Sequence, residues 1–186
     1  MSRTLRERRL HFPKVQIRAG VLALFALGMQ AVAIFAPLGF DDTPKRLLFE
    51  LSYLLLILFV ILNLPRPGLV IIGIGLLLNF LPIVANGGLM PVTATNLARV
   101  DLLHRIEGRT EGDAIPYTKN VLKAKDDIHF YELSDRLVWD NPVFFRLFSI
   151  GDIVIAGGLV ITIGDLFLPR VQRMNRGPAK RSRANP

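Results

Sequence analysis

Cysteine is absent from the 186 residues, and this removes disulfides, thiolate zinc, iron–sulfur ligation and a cysteine nucleophile together. Histidine is scarce, and neither His104 nor His129 sits in an HExxH or comparable spacing, so no metal ligand set is assigned. A glycine-rich phosphate loop, a GxSxG elbow and the base-reading motifs of nucleic-acid binders are also missing. No stretch repeats with a period of 20 to 50 residues, which excludes solenoids and propellers.

What the chain has in abundance is apolar sequence. Hydrophobic residues make up 51% of it, and the mean hydropathy is +0.41. They are gathered in blocks and not spread periodically, the pattern of a membrane protein. Four blocks stand out: Gly20 to Leu38, Leu47 to Leu64, Gly68 to Ala85 and Ile150 to Leu168. The third is the plainest, because eighteen residues at about 1.5 Å each cover the hydrocarbon core and Asn79 is its only strongly polar side chain. Asn86, Gly87 and Gly88 then close it, since glycine enters the left-handed region freely and lets the last carbonyls find partners. Pro65-Arg66-Pro67-Gly68 leaves room only for a tight reversal between the second and third blocks.

The net charge of +8 does not point to nucleic acid. Six Lys or Arg lie in residues 1–18 and six more in 169–186, opposed only by Glu7. Basic flanks mark the cytoplasmic side of membrane spans. Residues 86–148 carry eight basic against nine acidic side chains, a balance suited to the opposite face. The expected fold class is therefore an all-α membrane protein of four transmembrane helices, N-in and C-in, in the inner (plasma) membrane. A basic head (1–18) precedes helices one to three (19–85). A mixed outer segment (86–148) follows, then helix four (149–168) and a basic, disordered tail (169–186). Within the outer segment, apolar Leu97, Val100, Leu103 and Ile106 predict an amphipathic helix over Thr95 to Glu107. Tyr117 to Lys125 reads as a short helix, and Ile128 to Tyr131 as strand-like. Asp140-Asn141-Pro142 reads as a cap and helix start behind interfacial Trp139, with Phe144 and Phe145 following at headgroup depth.

Polar groups inside a bilayer need a partner or a purpose. Asn79 and Asn86 lie seven apart on one helix face, Glu50 sits two turns into span two, and Asp152 opens span four in a Ser149-Ile150-Gly151-Asp152 capping-box pattern. With Gly88 they form a candidate outer-face cleft for a small ligand, lipid or ion. The competing reading makes them helix caps and interhelical glue. A hydrolase using Glu50 and Asp152 as acid and base would need both within reach of one water, and no catalytic residue is assigned. Gly151, Ala156, Gly157 and Gly158 give span four a small-residue face on which another helix can approach closely. The leading expectation is a non-enzymatic accessory subunit whose partners are the bilayer and other membrane subunits or further copies of itself, with no nucleic acid and no identified cofactor.

At Asn86–Val92 (NGGLMPV) and Ser149–Asp152 (SIGD), joined by a segment containing His129 and Leu133 to Leu137, the chain resembles a family of small bacterial integral-membrane proteins of unknown function. The resemblance spans residues 45 to 168. It implies several transmembrane helices and brings no activity, substrate or cofactor.

Overall fold

The computed structural model describes residues 17–36, 42–139 and 147–167. Residues 1–16 and 37–41, the cap predicted at Asp140-Asn141-Pro142 with Phe144 and Phe145, and residues from 168 onward lie outside these. The described chain is mostly helical: α1 (Gly20–Phe35), α2 (Thr43–Leu62), α3 (Pro67–Ala85), a short α4 (Ala94–Ala98) and α5 (Ile150–Phe167). Among the described residues α3 is long and apolar enough to cross a membrane, and α1 is a shorter apolar helix.

Helical periodicity sorts each helix's buried face. On α2 the inward residues are Phe49, Ser52, Tyr53, Leu56 and Val60, one stripe at three- and four-residue steps. Proline stands in the first turn of both α2 and α3, where a missing N–H has no helical acceptor to lose. Asp42 stands at the N-cap of α2, but its side chain makes no capping bond and accepts instead from the Ala114 N–H at 2.8 Å. Asn63 ties the far end of α2 to the start of α1, accepting from Arg18 N–H and donating to Arg18 C=O, both at 2.8 Å.

α3 lies between α2 and α5, and it meets α5 through glycine. A Cβ on Gly75 would stand 2.7 Å from the Gly151 carbonyl, and one on Gly158 would stand 2.8 Å from the Gly68 carbonyl. The start of α3 meets the middle of α5 and the middle of α3 meets the start of α5, so the two helices run antiparallel with backbones nearly touching, as small residues permit. Two of the four small residues expected to receive a partner helix, Gly151 and Gly158, are therefore occupied within the chain. Ala156 and Gly157 are exposed, and nothing approaches Gly157 within 4 Å.

The end of α3 follows the predicted glycine stop. Gly88 N–H donates to Ile83 C=O at 2.8 Å and Gly87 N–H to Val84 C=O at 3.3 Å, with φ of +84° and +92° at Gly87 and Gly88. This is the Schellman pattern. It turns the chain directly into β1 (Met90–Val92), which pairs in parallel with β2 (Asn120–Leu122) in the register Met90 to Asn120 and Val92 to Leu122. A bridge from Ala114 to Val121 adds a third strand-like edge. β3 (Leu137–Val138) and β4 (Leu147–Phe148) form a small antiparallel pair that leads into α5. Leu89, Met90, Ala114 and Val121 share one core with α1, α2 and α3, so the lobe formed by the segment is packed onto the helices. A second cluster, Val92, Leu97, Ile115 and Leu122, fills its interior.

Three local expectations in this lobe need correction. The helix predicted over Thr95 to Glu107 breaks after α4, because Asp101 turns left-handed at φ 59° and Leu102 N–H returns to Leu97 C=O; a 3-10 turn at Leu103–Ile106 follows, with Leu103 exposed. The short helix predicted over Tyr117 to Lys125 is instead a turn, with Tyr117 at φ 58°, followed by β2 and a 3-10 turn at Lys125–Asp127. Three successive buried side chains in β2 suit a strand covered on both faces, a pattern helical spacing cannot supply. Ile128 to Tyr131, expected as strand, contains left-handed Phe130 and runs into a 3-10 turn at Tyr131–Leu133.

Candidate functional site

The polar residues of the helices converge where the lobe meets the ends of α3 and α5. Ser149 and Asp152 form a reciprocal capping box: Ser149 Oγ accepts from Asp152 N–H at 3.0 Å, and Asp152 Oδ2 accepts from Ser149 N–H at 3.1 Å. The same two side chains reach Asn79 on α3. Ser149 Oγ donates to Asn79 Oδ1 at 2.6 Å, and Asn79 Nδ2 donates to Asp152 Oδ1 at 2.7 Å. Asn79 is fully buried, so this amide satisfies its polar groups entirely within the fold.

Lys119, just ahead of β2, enters the cluster from the lobe. Its Nζ donates to Asp152 Oδ2 at 2.8 Å and lies 3.3 Å from Asp135 Oδ1. Asn120 Nδ2 donates to Asp135 Oδ2 at 2.8 Å, and Asn96 Nδ2 to the Asp135 carbonyl at 3.2 Å. Among the described residues Asp135 Oδ1 is buried without a hydrogen bond and faces the charge of Lys119. Desolvation opposes the charge on Lys119, but the Asp135 and Asp152 carboxylates outweigh it and raise its pKa. Burial pushes the Asp135 carboxyl up, and Lys119 opposes that shift without cancelling it. Lys119 thus bridges Asp152 at the start of α5 and Asp135 in the lobe. It is an ionic tether between lobe and helices.

Asn86 forms a second tether. Its Nδ2 donates to Pro82 C=O at 2.7 Å and to His129 C=O at 2.9 Å, while its Oδ1 accepts from His129 N–H at 3.1 Å. One amide thus pins a lobe turn to the end of α3. Arg46 on α2 forms a third, donating to Gly87 C=O and Gly112 C=O, each at 2.6 Å.

The residues expected to form one cleft fall into separate surroundings. Asn79 and Asp152 are joined directly. Glu50 lies beside Gly88, its Oε1 3.2 Å from where a Cβ there would stand, and makes no hydrogen bond or ion pair among the described residues. Asn86 belongs to His129, and no hydrogen bond links Glu50, Asn86 and Asp152 to one another. Among the described residues no group of three or more His, Asp or Glu is arranged to hold a metal ion. Sequence reasoning missed Lys119, Asn120 and Asp135. Their signal was a lone lysine among turn residues and an acid between Ser134 and Arg136, both ordinary for surface loops.

A protein-family profile matches residues 14–164, described as a family of unknown function, DUF5317. The chain belongs to DUF5317. The match takes in the tethers at Asn79, Asn86, Lys119, Asp135 and Asp152, and on the amino-terminal side it extends beyond the resemblance read from residue 45. The DUF5317 assignment carries no activity. Neither the curated proteins nor the solved structures yield a match.

Proposed function

We propose that this DUF5317 protein is a multi-pass inner-membrane protein whose four long helices cross the bilayer with both termini cytoplasmic, and that it serves as a non-enzymatic accessory subunit presenting a rigid outer lobe. The span-like α3, the basic termini and the exposed apolar side chains along α1, α2 and α5 support the topology. α2 concentrates Lys45, Arg46 and Glu50 at the end that carries the lobe, leaving the rest of the helix without a charged residue.

The observation that carries the accessory reading is the use made of the polar groups. Asn79, Asn86, Lys119, Ser149 and Asp152 each bond to another part of the chain, so their chemistry goes into fixing the lobe to the helices. On the exposed side of α5, Ala156 and Gly157 leave space for a neighbouring transmembrane helix from another subunit or a second copy. Reporter fusions after residues 66, 110 and 186 test the topology: the first and third belong on the cytoplasmic side and the second outside. A photocrosslinking side chain at Gly157, used in intact membranes, is expected to capture a discrete protein partner. Capture of lipid alone would end the accessory reading.

A further inference from the structure

We infer that the lobe carries a binding site for a phosphate monoester, in a cavity of about 460 Å³ between the α4 region and the chain that follows β2. This goes beyond the accessory reading and does not depend on it. The volume falls in the usual range for small-ligand pockets.

The lining decides the class of ligand. Arg99, Lys123 and Lys125 face the cavity with Glu111 as the only acid, leaving a net of two positive charges. Among the described residues none of the three cations has a carboxylate within ion-pair distance. Lys125 Nζ rests over the Tyr131 ring at 5.0 Å, and Lys123 Nζ reaches only Asn86 Oδ1, at a long 3.4 Å. Unneutralised cations in a concavity focus positive potential there. A phosphate monoester, at about −1.5 to −2 near neutral pH, matches the surplus, whereas a single carboxylate leaves part of it uncompensated. Arg99 supplies a planar fork for two phosphate oxygens, and the two lysines add point charges. The Thr93 hydroxyl lines the same cavity and accepts from Asn96 N–H, which leaves its own proton to donate. Glu111 is an acceptor for a hydroxyl on the ligand's organic portion.

Two sources supply this chemistry, a soluble metabolite or the headgroup of a lipid. The test uses the full chain in nanodiscs of phosphatidylcholine, titrated with glycerol phosphate by calorimetry, and in matched nanodiscs containing phosphatidic acid, followed by thermal unfolding. Saturable binding of glycerol phosphate identifies a soluble ligand. Stabilisation by phosphatidic acid alone identifies a headgroup, and either result supports the site. Arg99→Gln with Lys125→Gln is expected to weaken whichever response is seen by at least about tenfold, because charge-assisted hydrogen bonds are lost. Arg105→Gln, outside the cavity, leaves it unchanged and controls for general charge. If neither probe acts on the wild type, or if the response survives the double substitution, the site does not exist.

Discussion

Replacing Lys119 by Met is the sharpest perturbation of the tether between lobe and helices. The side chain keeps its length but loses the ammonium that lies 2.8 Å from Asp152 and 3.3 Å from Asp135. Asp135 is 1% exposed, so its charge then has no counterion and almost no water. Removing one partner of a buried ion pair costs about 3–5 kcal/mol. A second route caps the loss: Asp135 can take up a proton, which at neutral pH costs at most about 4 kcal/mol for a carboxyl whose ordinary pKa is 3.8, and less because burial already raises it in the wild type. Together the two routes place the loss at about 3–4 kcal/mol. Asp152 suffers less, since Asn79 and Ser149 still donate to it. At about 2–4 °C per kcal/mol for a chain of this size, the midpoint of thermal unfolding falls by roughly 6–16 °C. Trp139, the only tryptophan, packs edge-on against Phe148 ahead of α5 and reports the transition by fluorescence. Adding Asp135→Asn to Lys119→Met removes the stranded charge and is expected to recover at least half of the loss. A single variant within about 0.5 kcal/mol of wild type, the range of ordinary surface changes, would refute the reasoning. So would a double variant no better than the single.

Other perturbations probe the remaining contacts. Gly75→Leu drives a side chain into the Gly151 carbonyl and Ile155, and is expected to destabilise the fold by at least about 2 kcal/mol, whereas Gly157→Leu meets open space and leaves thermal stability unchanged. Asn86→Ala strands the backbone N–H and C=O of His129 and is expected to cost about 2–3 kcal/mol, read as faster amide exchange in residues 128–133. The pH response follows from Lys119: its folded pKa lies above the ordinary lysine value of 10.5, so its contribution is complete below that value and is lost as pH rises through the folded one. Unfolding midpoints measured from pH 9 to 12 should fall more steeply in the wild type than in Lys119→Met, and parallel curves would contradict the assignment.

The helices were legible because their signals are local. Apolar runs, the tight reversal at Pro65 to Gly68, the glycine stop at Gly87 and Gly88, and the Ser149–Asp152 box each lie within a few residues of what they determine. The pairing of Asn79 with Asp152 was half legible, since a lone amide in an apolar run needs a partner. Lys119, Asn120 and Asp135 were not, because their role depends on a parallel strand pairing between Met90–Val92 and Asn120–Leu122, and pairings across such distances leave no period in the sequence. The lobe misled for the same reason. Leu97, Val100, Leu103 and Ile106 have helical spacing, but the left-handed turn at Asp101 takes Leu103 out of register. Glu50 and Asn86 looked equivalent by depth, and only their neighbours separate them.

The ionic tether also imposes an order on biogenesis. Its four side chains emerge from the ribosome as Asn79, Lys119, Asp135 and Asp152, so the latch cannot close until the final helix has been synthesised and seated against the third. Until then the lobe is held to the first three helices only by Arg46, Asn86 and the shared core at Leu89, Met90, Ala114 and Val121. A closed latch thus reports that α5 has seated against α3, and truncations that delete α5 are expected to be cleared faster than the chain that carries it.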